Sequence, residues 1–249
     1  MNNKNNKLEE EKGKCASVFS GKFHNEEKAF DNLPTELLEL VNKKTEMNGF
    51  ELLGKFKDSS IPAIFFDPQY RGVMDKLDYG NEGTRQKGRC ELSQMSDEVI
   101  KDFITEINRT LQPSGHLLLW IDKFHLVEGV KEWIKNTQLE AVDLVIWDKG
   151  RIGMGYRTRR KSEYLMVLQK LPKKAKGYWI SHDIPDVWTE KVDRHHPHAK
   201  PEKLQSAIIN AIVKPNDFVV DPASGSFSVM NSAISVGRNF IGCDLEVKQ

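Results

Sequence analysis

"FVVDPASGSFSVMNSA", residues 218–233, joins an apolar run to an aspartate, a loop of small residues and a helical pattern. Asp221 closes the run. A buried strand that ends in an acid and turns into a helix is a building unit of open α/β sheets, whose ligands bind at the carboxyl ends of strands. Gly225, flanked by Ser224 and Ser226, lets a ligand approach the backbone, and the helix N-terminus behind it favours a carboxylate or phosphate. A plain tight turn would read the same way. One strand further on, "NFIGCDLE" (239–246) places Asp244 where an acid hydrogen-bonds ribose hydroxyls. Loop and acid together suggest a nucleoside ligand. The spacing is not GxGxxG, which disfavours a nicotinamide cofactor.

The same alternation runs through the chain. "PAIFF" (62–66), "HLLLWI" (116–121), "VDLVIW" (142–147), "YLMVLQ" (164–169), "DFVVD" (217–221) and "NFIGC" (239–243) read as buried strands. Residues 96–111 read as a helix capped by Ser96, with Ile100, Phe103, Ile104, Ile107 and Leu111 on one face. "QPSG" (112–115) is expected to break it before the next strand. Residues 201–213 repeat the pattern, opened by Pro201. The expected fold is a mainly parallel sheet flanked by helices. Residues 71–95 are glycine-rich and charged, and read as a long mobile loop.

The chain has 249 residues, enough for one large α/β domain, here 31–249 after a polar, loosely ordered lead-in over 1–30. No window approaches the roughly 18 apolar residues of a membrane helix, and the N-terminus lacks the apolar segment of a secretory signal. Cys15, Cys90 and Cys243 are far apart and odd in number, which points to reduced thiols and a cytoplasmic protein. The net charge is only +1, yet residues 149–176 hold ten basic residues and a single acid, Glu163. Such a run is either a solvated face or a phosphate-binding strip, with Arg157, Arg159, Arg160 and Lys161 as its densest part.

A second strand also ends in an acid. "IPAIFFDPQY" (61–70) carries Asp67, Pro68 and Tyr70 past its apolar run. "DPQY", "HPHAKP" (196–201), "DPASGSF" (221–227) and "FIGCDLE" (240–246) resemble, in that order, motifs of the β-class amino-methyltransferases of DNA. These transfer a methyl group from S-adenosylmethionine (SAM) to adenine N6 or cytosine N4. Their usual forms are DPPY, HPTQKP, DPFxGSGT and an acid after the next strand. The catalytic motif precedes the cofactor loop, a circular permutation of the common methyltransferase order. The resemblance spans about residues 46–246, and implies a Rossmann-like methyltransferase fold with SAM as cofactor and double-stranded DNA as partner.

By that resemblance Asp67, Pro68 and Tyr70 are catalytic. Asn48, Asp67, Lys200, Asp221, Ala223, Gly225, Phe227 and Asp244 would contact SAM, with Lys200 near its carboxylate. Gln69 replaces the second proline of the motif, and Asn48 stands where an aspartate normally meets the SAM adenine. An exocyclic amine is a poor nucleophile because its lone pair is delocalised into the ring. Asp67 and the Pro68 carbonyl can each accept one N–H and aim the lone pair at the methyl carbon, and the ring of Tyr70 can stack on a flipped base. An aspartate heading the motif, where cytosine-N4 members more often have serine, tilts the expectation towards adenine N6. Cytosine N4 or a catalytically silent DNA-binding subunit are the alternatives. The histidines of "HHPHAKP" (195–201) could bind zinc, but no fourth ligand is evident, so no metal is expected. Residues 171–194 are the candidate DNA-reading segment. Its shortness, and a chain that stops soon after Asp244, lead to the expectation of a homodimer.

Overall fold

Successive residues of 62–66 bury into opposite faces of one sheet. Ala63 and Phe65 pack in one apolar cluster with Leu118 and Trp120, while Ile64 and Phe66 pack in another with Leu117 and Leu119. A strand that is apolar at every position needs such cover on both sides. Phe65 and Phe66 are fully buried, which stabilises by about 1.5–3 kcal/mol each. The computed structural model describes residues 20–69, 95–153, 157–192 and 199–247.

Among these, the chain runs through helix α1 (Thr35–Leu38), strand β1 (Thr45–Glu46), α2 (Gly49–Gly54), β2 (Ile61–Phe66), α3 (Asp97–Thr110) and β3 (Leu111–Ile121). It continues through α4 (Lys123–Glu128), α5 (Lys131–Ile134), β4 (Leu139–Asp148), β5 (Ser162–Lys170) and β6 (Val187–Thr189). α6 (Glu202–Ile212), β7 (Phe218–Asp221), α7 (Ser228–Ser235) and β8 (Asn239–Asp244) complete it. The strand order is β1-β8-β7-β2-β3-β5-β4-β6. Only β5 runs against the rest. α3 covers the face of Ile64 and Phe66, and α6 the face of Ala63 and Phe65. This is the expected mainly parallel sheet flanked by helices.

Two expectations are corrected. "QPSG" does not stop the chain between helix and strand. β3 starts at Leu111, which pairs with Ile61, and the register then shifts before His116 pairs with Ala63. Ser114 takes a left-handed φ of 65° within this bulge. The polar lead-in does not extend to residue 30. Ser20 bridges to Ser181, Gly21 N–H donates to the Ile180 carbonyl (2.6 Å), and the amides of Ala29 and Phe30 donate to the Asp217 carboxylate. The candidate DNA-reading stretch after 170 packs against the sheet. Trp179, Ile184 and Trp188 pack on the core, and β6 adds an edge to the sheet beside β4. Residues 71–94, Tyr70 and 193–198 lie outside the described residues, and with them most of the expected loop and the three histidines. No helix among the described residues is long and apolar enough to cross a membrane.

Candidate active site

The sheet order reverses direction between β2 and β7: from β2 the chain moves outward to β3, and from β7 it moves the other way to β8. A crevice opens at the carboxyl ends of strands at such a switch point. Ile64 pairs with Val220 there. Asp67, just past β2, and Asp221, the last residue of β7, are therefore brought together from opposite ends of the chain, with Asp244 at the end of β8 alongside.

The glycine loop is locked by carboxylates and a hydroxyl. Asp221 Oδ1 accepts from Ala223 N–H at 3.0 Å, and Ser224 Oγ donates to the Asp221 carbonyl at 2.9 Å. Asp244 Oδ2 accepts from Gly225 N–H at 2.8 Å. A carboxylate has about four lone-pair positions, so this bond leaves Asp244 able to accept ribose hydroxyls. Gly225 has φ +50° and open space where a Cβ would point, which suits a surface that a ligand covers. Phe227 enters α7 in the left-handed region and is buried. Asn48 caps α2 by accepting from Phe50 N–H at 2.8 Å. The next residue, Gly49, sits so close to the loop that a Cβ there would lie 2.3 Å from the Pro222 carbonyl oxygen. The start of α2 is thereby pressed against the Asp221–Pro222 turn.

Burial pushes the Asp221 carboxyl up to about 8, opposed by the Ala223 amide and reinforced by the like charges of Asp67 and Asp244. Such an acid cluster favours a cation. SAM carries a sulfonium and an ammonium, and the small loop and the acid trio fit that chemistry.

Lys200 is held by two carboxylates and a ring. Its ammonium is 2.9 Å from Asp67 Oδ2 and 3.0 Å from Glu163 Oε2, and 4.8 Å above the Trp120 ring. Burial opposes its charge, but Asp67 and Glu163 outweigh that and raise its pKa above the ordinary lysine range. Burial likewise disfavours the Glu163 carboxylate, yet Lys200 and Lys149 hold its pKa down to about 2. Glu163 begins β5, and because β5 is antiparallel, its start meets the carboxyl ends of β3 and β4. The sequence offers one clue: Glu163 is the lone acid in a basic stretch.

The proposed DNA-contacting residues follow β4, on the turn that leads into β5. Arg157 and Arg159 are exposed. Arg159 Nε donates to the Gly153 carbonyl (2.8 Å), and the Arg160 guanidinium stands 5.8 Å from the Phe124 ring. Lys161 pairs with Asp148 at 2.8 Å. The described residues hold no group of acids, histidines and cysteines suited to a metal.

A family model described as "DNA methylase", for the N6/N4 enzymes, matches residues 61–249. The chain is 55% identical over 213 residues to the type II methyltransferase M.HhaII of Haemophilus parahaemolyticus, covering 84% of this chain and 93% of that protein. It is 28% identical to the type II methyltransferase M2.DpnII of Streptococcus pneumoniae, over 79% of this chain and 82% of that one. The fold is similar to the M1.HpyAVI–SAM complex (TM-score 0.59, 17% identity, 82% of this chain and 93% of the other). It is equally similar to the cytosine-N4-specific PvuII DNA methyltransferase (TM-score 0.59, 15% identity, 82% of each). Acids from three strand ends around a locked glycine loop are thus found on a chain matched over most of its length, and the protein belongs to the N6/N4 DNA methylase family of SAM-dependent methyltransferases.

Proposed function

We propose that this methyltransferase modifies adenine N6 of a base flipped out of double-stranded DNA. The observation that carries this is Asp67 at the switch point, its carboxylate oriented by Lys200 and set beside the Asp221 end of the cofactor loop. SAM, when bound, supplies a methyl group already activated by the sulfonium. The chain has to hold, orient and desolvate.

Asp67 accepts one N–H of the exocyclic amine, and the Pro68 carbonyl accepts the other. Positive charge that develops on nitrogen then meets a fixed carboxylate and a fixed dipole. Positioning of this kind can supply much of the barrier reduction. Asp221 and Asp244 hold the cationic and ribose parts of the cofactor, and Asn48 borders its adenine. Lys200 pairs with Asp67. Tyr70 stacks on the extruded base. Arg157, Arg159, Arg160 and Lys161 hold phosphates at the edge of the same strand ends. A homodimer in the cytoplasm, one copy helping to hold the duplex, completes the reading.

Tritiated methyl transfer to plasmid DNA, followed by identification of the modified base, tests it. N6-methyladenine is the expected product. N4-methylcytosine would move the reading to the other branch of the family, and no incorporation would favour a silent subunit.

A further inference from the structure

Glu163 has no role in the reading above, yet it is tied to the catalytic carboxylate through one residue. Four charges alternate across the mouth of the crevice: Lys149, Glu163, Lys200 and Asp67. They come from the end of β4, the start of β5, the segment before α6 and the end of β2. The Lys149 ammonium pairs with Glu163 Oε1, and Lys200 takes Oε2, so both carboxylate oxygens are engaged. The Lys200 side chain is only 13% exposed, and Asp67, Glu163 and the face of Trp120 lie against it.

We propose that Glu163 is a positioning residue for methyl transfer, holding Lys200 so that it orients Asp67 without neutralising its capacity to accept the amine N–H. The argument rests on the proposed role of Asp67. A lysine stem is long and rotamer-rich, and a single partner does not fix it. Glu163 gives its ammonium a second anchor, and Trp120 a third surface. Glu163 also divides the charge. An ammonium bound to Asp67 alone would draw electron density from the carboxylate that has to meet the developing positive charge on the amine. Shared between two carboxylates, Lys200 orients Asp67 and weakens it less. The competing explanation is that Glu163 only pairs with Lys149 across β4 and β5, an ordinary cross-strand contact. That would affect stability and leave transfer alone.

Single-turnover transfer to plasmid DNA, SAM affinity by calorimetry and thermal melting separate the two. Glu163→Gln should slow transfer by about tenfold while SAM affinity stays within about twofold. Lys200→Met should be slower still, and the double variant no slower than Lys200→Met, since both act through one contact. A wild-type rate in Glu163→Gln overturns the proposal. So does a rate loss matched by lost SAM affinity, or losses that multiply in the double variant. Should Glu163→Gln fail to fold, Glu163→Asp keeps the charge and shortens the reach; slowed transfer supports the proposal and a wild-type rate overturns it. Asp67→Ala is measured alongside. If it is dead while Glu163→Gln is unimpaired, this inference alone falls. If Asp67→Ala transfers at the wild-type rate, the reading of Asp67 falls and the inference with it.

Discussion

The acidic crevice and the basic stretch 149–176 reverse their roles between sequence and space. In sequence the crevice is hard to see as one cluster: Asp67 is separated from Asp221 and Asp244 by most of the chain. The basic stretch is conspicuous. In the folded molecule the three acids converge, and the charges of Asp67 and Asp244 add to the burial that raises Asp221, while the basic stretch is extensively paired. Lys149 pairs with Glu163, Lys161 with Asp148, Lys173 with Glu140, and Lys170 donates to the Asn108 and Leu111 carbonyls. Strand pairing explains the difference. β4 brings Glu140 and Asp148 against β5 and its flanks, so acids outside the counted window neutralise bases inside it. Counting charge along a chain measures a field only where no neighbouring strand answers it. The arginines 157, 159 and 160 stand on the turn between the two strands, where Arg159 donates to the Gly153 carbonyl and Arg160 lies over the Phe124 ring.

The largest expected effect lies in the crevice. Asp67→Ala should lose methyl transfer by orders of magnitude, each tenfold being about 1.4 kcal/mol, while still binding SAM. Single-turnover kinetics beside calorimetry would show it. The second concerns the acids as a cluster. An aspartate in the unfolded chain titrates near 3.9, and Asp221 in the folded, SAM-free protein near 8. Below about pH 4 both states hold the proton and nothing is lost. As pH rises towards 8 the unfolded chain ionises and the fold resists, so this contribution to stability falls. Asp221→Asn should therefore match the wild type at low pH and gain on it up to pH 8 in denaturant melts. An identical pH slope in both proteins would break the picture of an Asp221 carboxyl raised by burial beside two other acids.

The basic stretch gives two smaller effects of different kinds. Lys170→Met should cost stability, about 1–3 kcal/mol, because it strips buried carbonyls of a donor, and it should leave the salt dependence of DNA binding unchanged. Arg159→Ala should do the opposite. Stability should hold, and the slope of log affinity against log salt should drop by about 1 for one lost phosphate contact. If the two variants behave alike, the division between the lysines paired along the strands and the arginines of the turn is wrong.

What was legible in the sequence follows the same division. β2, β7 and β8 announce themselves because they are buried on both faces, and their terminal acids stand out against apolar runs. Ser96 was legible as the cap of α3, and its side chain accepts from Val99 N–H. β1 and β6, two and three residues long, are too short to show a period, and exist because a sheet edge was there to pair with. The bulge at 112–115 looked like a turn because Pro113 and Gly115 are turn residues, and only pairing of Leu111 with Ile61 reveals a strand already begun. The contact of Lys200 with Glu163 and Asp67 depends on one antiparallel strand placed between parallel ones. No local pattern encodes that.

The smallest expected effect is at Gln69, where the chain departs from the motif of its family. Asp67 and Pro68 supply the carboxylate and the carbonyl assigned to chemistry, and Tyr70 the ring. Residue 69 supplies backbone. Its side chain is exposed, and its carbonyl accepts from Met95 N–H at 2.7 Å, joining the two residues that flank 70–94 beside the Asp67–Pro68 turn. Proline keeps that carbonyl. It removes an N–H, but among the described residues no acceptor takes the Gln69 N–H. What proline adds is a fixed φ and a bias of Pro68 towards extended backbone. The turn is already held from three sides: Pro68 is buried, Asp67 is bound by Lys200, and the Gln69 carbonyl is bound by Met95. Added rigidity therefore has little left to fix. Gln69→Pro should change single-turnover methylation by about tenfold or less in either direction, roughly 1.4 kcal/mol. An inactive wild type rescued to strong activity by this substitution would mean that the turn is not held by its neighbours, and that the crevice is assembled but not aimed.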